Sequence, residues 1–421
     1  MKDRFYNTVI VGAGASGLYC ACALEPASAG SAIILEKTNK AGTKLLMSGS
    51  GQCNITHGGT IKDFISHYGH NGHKIRGVLQ KYNNLNLCSF IENIGVRLIE
   101  REDGKVFPVS MSSNDILRAL LQKIKDKNID IEYNAGINHI EYLGGDNDEK
   151  DSYRFAVYTQ EEVFKCRNLV VATGGASYPS TGSDGRMFEV LSSDLGIEIK
   201  SIRPSLTTVY VKNYQFHELS GISFSDIRLT VSDTKGKKIY TGKGDLLFTQ
   251  KNFSGPVIIN SSRYIEQGMQ LEINFMADIS LTEMINILKK DFPGNKKSPQ
   301  SYLSDNFKLP KRFLRTICDN LGLSERKASQ LTGKEITELA EALVCARFTV
   351  EKVGGFNEAM ATCGGVSLED WEAKTAQHKT YKGLYFIGEV LDIDGDTGGY
   401  NLQFAYSSAR AAAAGISAQG L

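Results

Sequence analysis

The chain has 421 residues, 41% of them hydrophobic, which is enough for two or three domains with separate cores. Its 48 Lys and Arg against 47 Asp and Glu leave a formal charge of +1, a balance that argues against a nucleic-acid partner. No run approaches the roughly 18 consecutive apolar residues of a membrane span, and eight cysteines without CxxC, metal-site or disulfide-scaffold spacing suit a reducing cytoplasm.

The N-terminal apolar stretch reads as structure rather than as a leader, because it runs straight into Gly12-Ala13-Gly14-Ala15-Ser16-Gly17 and then a helix. Gly12 allows the sharp turn off a strand, Gly14 lets a phosphate approach the backbone, and Gly17 lets helix and strand pack closely. The helix offers its unpaired N–H groups and positive end to that phosphate. A second strand, residues 32–35, ends at Glu36-Lys37, where the acid is placed to accept from ribose hydroxyls.

Residues 44–54 are rich in glycine and serine and suit close backbone approach along a pyrophosphate and the ring beyond it, with Lys44 offsetting phosphate charge and Gly51, Gln52, Cys53 and Asn54 at the far end. Cys53 invites a redox role as a thiolate, but a cysteine without a CxxC partner reads first as packing. His57 and His378 are candidate acids with no partner visible in the sequence, and each reads first as a surface or core residue.

Further along, residues 91–99 bring a helix end and a strand, 115–127 an amphipathic helix, and 129–142 and 153–158 the strands of a smaller sheet. Residues 169–172 form a short buried strand that runs into Thr173-Gly174-Gly175, where backbone again can pass close to a nucleotide. Alternating strands then cover 207–211, 227–231, 238–241 and 270–275 and point to a barrel-like antiparallel domain. The clusters 235–238 and 308–315 are basic and read as solvated faces. Three helices are expected at 281–290, 311–320 and 334–343, with 291–304 a polar loop, before the β pattern returns at 347–352. The fold expected is α/β: a two-dinucleotide-binding, Rossmann-like domain of residues 1–196 and 356–421. It is interrupted by a β-barrel-like insert, 197–280 with 344–355, that carries a small helical subdomain, 281–343.

Residues 383–403 read GLYFIGEVLDIDGDTGGYNLQ and lead into a helix of small residues. Gly388 admits a pyrophosphate or ribitol, and Glu389 accepts from ribitol hydroxyls or forms a salt bridge. Gly399, Tyr400, Asn401 and Leu402 stand at the helix start, whose N–H groups and dipole stabilise the negative charge that a reduced flavin carries over N1 and O2. The first fingerprint alone specifies a dinucleotide; with the C-terminal segment it specifies FAD, held by both ends of the chain. No second GxGxxG follows, so either NADH or NADPH visits as a transient electron donor without a domain of its own, or the substrate itself reduces the flavin.

These blocks resemble the bacterial YhiN-like, aminoacetone-oxidase-like FAD-binding flavoproteins over essentially the full chain. The resemblance is carried by residues 12–17, 42–54, 172–183, 248–256, 363–366 and 383–403. It implies the two-dinucleotide-binding fold with its β-rich insert, non-covalent FAD, and contact of the adenine with the backbone of Ile137. The activities it implies are oxidation of small amines with oxygen and reduction of the conjugated double bonds of steroid-like enones. This chain departs from the family pattern at Gln52, where an arginine is common, and at 375–379, where TAQHK stands in place of a block with an acid. The function expected is hydride transfer between flavin and a small organic substrate, with reduction of a conjugated double bond by NAD(P)H foremost. A flavin-dependent amine oxidase and an FAD-dependent nucleic-acid-modifying enzyme are the alternatives. The substrate is expected between flavin and insert, with Tyr178, Phe248 and Tyr400 as candidate lining.

Overall fold

Residues 9–11, 33–35, 169–171 and 384–386 are continuous apolar runs rather than alternating ones, the pattern of parallel strands covered on both faces, and none of them is more than 3% exposed. In the computed structural model, which describes residues 2–25, 31–144 and 153–419, they form the centre of one sheet. Strand Lys2–Val11 pairs in parallel with Ala32–Leu35 on one side and Glu162–Val171 on the other. Leu384–Phe386 extends the sheet beyond Glu162–Val171, and Asp130–Glu132 extends it beyond Ala32–Leu35. The register sets Val11 opposite both Leu35 and Val171, and Val171 opposite Phe386, so four strands leave the sheet level with one another.

Helices Ala15–Ala23 and Tyr400–Gln419 pack together beside this sheet. The second is a helix because alanine dominates it, and it buries Ala405, Ser407, Ser408, Ala409, Ala411, Ala412 and Ala413. Small side chains at these positions let two helix backbones approach closely.

The chain divides into two units, Met1–Pro204 with Ala359–Leu421, and Ser205–Glu358. In the second, six antiparallel strands close a barrel in the order Val209–Val211, Phe253–Ser254, Lys238–Phe248, Ser223–Ser232, Gln270–Asn274 and Ala346–Val353. Helices Leu281–Asp291, Pro299–Asn306, Lys311–Asn320 and Gly333–Val344 share the barrel's hydrophobic core through Met284, Leu303, Phe313 and Leu339. The fold is thus an α/β dinucleotide-binding unit interrupted by a β-barrel insert with helices.

Three sequence expectations differ from what forms. Asp130–Glu132 joins the main sheet, and the hairpin His139–Tyr142 with Phe155–Tyr158 attaches to Glu162–Val171, so no separate smaller sheet exists there. The strand expected at 169–172 is the end of a ten-residue strand, Glu162–Val171, whose first half pairs with that hairpin. The polar loop 291–304 contains the start of helix Pro299–Asn306, opened by Ser298, whose side chain accepts from the Ser301 N–H, and by Pro299 at the first turn.

Phe248, expected to line the substrate site, is a barrel core residue. It is fully buried and lies between the rings of Phe216, Phe253 and Phe224 at 5.2, 5.5 and 5.8 Å. Phe248→Ala should therefore cost about 3–5 kcal/mol of stability, read as a lowered urea midpoint with unchanged slope.

Candidate functional site

The level strand ends put Gly12, Glu36, Ala172 and Ile387 at one edge of the sheet, the place where open α/β sheets bind ligands. The three glycines of the first turn do different things. Gly12 has φ +105°, and a Cβ there would lie 2.6 Å from the Ala172 carbonyl oxygen. At Gly17 a Cβ would lie 2.0 Å from the Gly12 oxygen, whereas at Gly14 it would meet nothing within 4 Å. Two glycines are therefore demanded by the fold, and the third faces open space at a helix N-terminus. Ala13, Ala15 and Ser16 complete the turn, with Ser16 packed against Gly388.

Glu36 is 8% exposed and staples this turn. Its Oε2 accepts from the Ala13 N–H at 2.8 Å, and its Oε1 accepts from the Thr38 N–H and hydroxyl, each at 2.8 Å. A carboxylate has about four acceptor sites, so room remains for a further donor. Lys37 next to it is paired with Asp184. The N–H of Ile137 has no hydrogen-bond partner among the described residues.

Lys44 and Glu389, 345 residues apart in sequence, meet. Lys44 Nζ lies 2.7 Å from Glu389 Oε2 and 2.6 Å from Ser177 Oγ; Glu389 Oε1 accepts from the Ser177 hydroxyl at 2.9 Å and from the Thr362 N–H at 2.8 Å. Where the sequence suggested a phosphate partner in Lys44, the structure sets its charge against Glu389. Gly175 is required here, because a Cβ would sit 2.3 Å from Thr362 Oγ1. Ser177 and Thr362 carried no sequence signal of their own.

Residues 49–53 turn through left-handed backbone at Gly49, Ser50, Gly51 and Cys53, with φ +55°, +56°, +86° and +61°. For Ser50 and Cys53 this costs of order 1–2 kcal/mol each, the kind of strain that concentrates at ligand sites. Gln52 Oε1 accepts from Arg101 at 3.0 Å, and the Arg101 guanidinium lies 4.0 Å from the Phe107 ring centroid, so a cation reaches position 52 from the segment just after strand Leu98–Glu100. Cys53 is fully buried, and burial pushes its thiol up to about 11. It is a packing thiol, not a thiolate.

At the other end of the chain, Gly399 has φ +96°, and a Cβ there would lie 2.6 Å from Thr56 Cα. The first intrahelical bond of the last helix runs from the Gln403 N–H to the Gly399 oxygen, which leaves the N–H groups of Tyr400, Asn401 and Leu402 without intrahelical partners. The Asn401 side chain is a loop staple, since it accepts from the Gly395 N–H at 2.7 Å and donates to the Gly395 oxygen at 2.9 Å. Tyr400 stacks between two imidazoles, His67 at 4.1 Å and His57 at 5.5 Å. His67 Nδ1 lies 2.9 Å from Asp396 Oδ2. Burial raises the Tyr400 hydroxyl well above its ordinary range. His378, a candidate acid from the sequence, instead accepts from the Thr380 and Tyr381 N–H groups, and burial lowers its pKa.

Two buried side-chain oxygens near these segments, Thr173 Oγ1 and Asn54 Oδ1, have no hydrogen-bond partner among the described residues. With the open space at Gly14 and two helix N-termini, they fit a large ligand that has phosphates, hydroxyls and N–H groups, as FAD does.

The family model described as HI0933-like protein Rossmann domain matches residues 6–415. The chain belongs to the HI0933-like family. It is an FAD-dependent oxidoreductase of that family. A Haemophilus influenzae relative named ribosomal RNA dihydrouridine synthase is 31% identical, over 99% of this chain and 100% of its own. A 3-dehydro-bile acid delta(4,6)-reductase of Clostridium scindens is 25% identical over 95% of this chain and 96% of its own. Two solved structures share the fold of this HI0933-like chain. A flavocytochrome c3 fumarate reductase gives TM-score 0.52 at 14% identity, with 99% of this chain and 79% of the other covered. A 3-ketosteroid-delta4-(5alpha)-dehydrogenase from Rhodococcus jostii gives 0.51 at 12%, with 99% and 98% covered. No helix among the described residues is long and apolar enough to cross a membrane.

Two predictions follow from the geometry. Gly14→Ala should leave the apoprotein within about 0.5 kcal/mol of the parent while weakening FAD binding, whereas Gly12→Ala should cost about 1–3 kcal/mol of stability; thermal melts and FAD titration separate the two. Burial also holds the Cys20 and Cys22 thiols at about 12 and those of Cys53, Cys88, Cys318 and Cys363 at about 11. Since the thiolate is the nucleophile, alkylation of these residues in the native protein at pH 8 should be slow and should quicken only as pH rises toward those values; a fast-reacting thiol at Cys53 would contradict this.

Proposed function

We propose that this chain reduces a carbon–carbon double bond conjugated to a carbonyl, with NADH or NADPH as the transient electron donor. The observation that carries the reading is a pair of full-length relatives with unlike substrates, one named for making dihydrouridine in ribosomal RNA and one for reducing the delta(4,6) bonds of a 3-dehydro bile acid. Both reactions saturate such a bond, since C5=C6 of uridine is conjugated to C4=O much as the delta(4,6) system is to the 3-oxo group. FAD, when bound, supplies the hydride.

The chain's own part is to hold and orient. The turn from Gly12 to Gly17 takes the pyrophosphate, Glu36 and Lys37 meet the ribose, and the Ile137 backbone meets the adenine. Thr173 to Gly175, Lys44, Gly388 and Glu389 flank the ribityl chain. Residues 51–54 and the N–H groups of Tyr400, Asn401 and Leu402 border the ring, where helix N–H groups favour developing negative charge. Eight unpaired cysteines suit a reducing cytoplasm.

A second reading takes the base of an RNA as the substrate, in place of a free small molecule. A relative from Escherichia coli, 26% identical over 98% of this chain and 98% of its own, shares the dihydrouridine name with the one from Haemophilus influenzae. The neutral overall charge, which argued against nucleic acid, is also an average. Residues 205–358 hold 21 of the 48 Lys and Arg but 17 of the 47 Asp and Glu, and the rest of the chain is net acidic.

Anaerobic mixing tests both readings. NADH or NADPH should bleach the flavin absorbance, and a conjugated enone or a uridine-containing RNA should restore it. Bleaching by a small amine with no response to either nicotinamide would sink the reductase in favour of the amine oxidase. RNA binding with no dependence on salt concentration would count against the second reading.

A further inference from the structure

Asn54 closes the strained turn of residues 49–53 and opens the segment into strand Thr56–His57. The residue is 9% exposed, and its Oδ1 is fully shielded without a hydrogen-bond partner among the described residues. Its Nδ2 makes no hydrogen bond among the described residues and, unlike Oδ1, is not fully shielded. Native proteins rarely bury an amide oxygen without a partner. The other buried or half-buried amides of the same region are bonded: Asn71 Nδ2 to the Asp392 oxygen, Asn84 Nδ2 to the His57 oxygen, and Asn401 to Gly395 at both ends. The turn folds back onto Asn54 so tightly that a Cβ at Gly49 would lie 2.9 Å from the Asn54 nitrogen. The turn of positive φ thus packs against Asn54, whose side-chain oxygen has no partner among the described residues.

A carboxamide presents one acceptor beside one pair of donors, so the group that satisfies both ends carries an N–H next to a carbonyl. We infer that Asn54 recognises an imide edge, its Oδ1 accepting from the imide N–H and its Nδ2 donating to the adjacent carbonyl. The inference rests on the FAD reading above, because the isoalloxazine carries such an edge at N3–H. The base of uridine carries one too, and it is the second source of the same chemistry. Asn54 would in either case be a binding residue that sets the orientation of a ring.

Apoprotein of the parent, Asn54→Ala and Asn54→Asp is titrated with FAD and with 3-methyl-FAD, and the FAD-loaded forms with uridine and 3-methyluridine. If the edge is the flavin's, the parent prefers FAD over 3-methyl-FAD, Asn54→Ala weakens FAD binding about 5- to 30-fold and loses that preference, and Asn54→Asp, which keeps an acceptor, retains it. If the edge is the base's, the same pattern appears with uridine against 3-methyluridine while FAD binding is unchanged. Apoprotein melts guard against a structural explanation: removal of an unpartnered amide should leave the melting temperature of Asn54→Ala close to that of the parent. Equal affinities of parent and Asn54→Ala for all four ligands would overturn the inference and leave the FAD reading intact. A parent that takes up no FAD would overturn both.

Discussion

A parallel strand that ends level with its neighbours passes one more N–H to the adjacent strand, as Gly12, Glu36, Ala172 and Ile387 do here, and leaves the groups beyond it at an edge with no ladder to join. In this chain four strands do so together, since Val11 stands opposite Leu35 and Val171, and Val171 opposite Phe386. The residues that follow must turn sharply and find other partners. Gly12 and Gly388 turn with positive φ, Glu36 binds the Ala13 N–H, and the Gly388 N–H goes to Ser408 Oγ at 3.0 Å. The candidate site is therefore a consequence of strand register, and a one-residue slip of any of the four would dismantle it.

The charges at this edge largely satisfy one another. Lys44 and Glu389 are side chains of 26% and 19% exposure locked together at 2.7 Å, with Ser177 and the Thr362 N–H closing the cluster. A partly buried pair of this kind adds little net stability, but removal of one member strands the other. What remains to attract a phosphate is fixed backbone: the N-terminus of Ala15–Ala23 beside Gly14, and that of Tyr400–Gln419 beyond Gly399. Such donors need no reorientation when an anion arrives. Side-chain charge sets the shape of the site, and helix ends supply its polarity.

How much of this was legible in the sequence depends on the reach of each signal. The Gly12 to Gly17 turn was readable because each glycine answers a local demand, and the barrel strands because their alternation is local too. Helix Pro299–Asn306 was missed because its composition is polar, although Ser298-Pro299 is a proper helix opening. The strands at 130–132 and 155–158 were readable as strands, but their sheet was not, since pairing partners are a matter of tertiary structure. The Lys44–Glu389 pair, the arrival of Arg101 at Gln52, and the stack of Tyr400 between His57 and His67 join residues 345, 49, 343 and 333 positions apart. No window along the chain contains them. The unpartnered amide of Asn54 is of the same kind, because want of a partner is a property of the folded state alone.

The division of charge between the units bears on which class of substrate the proposed flavin site would take. Saturating a conjugated double bond asks the same of the reaction centre whether the bond lies in a free enone or in a nucleobase. The substrates differ in everything else they carry, above all in the phosphates of a polynucleotide chain. Discrimination between them therefore has to come from surface outside the reaction centre, and from electrostatics acting over nanometre distances. In this chain the excess of Lys and Arg falls within residues 205–358 and the excess of Asp and Glu outside them. A polyanion would be drawn to the one and repelled by the other, while a neutral enone would be indifferent to both. The insert, and not the Gly-rich edge proposed to hold the cofactor, is where the physical difference between the two substrate classes is to be sought.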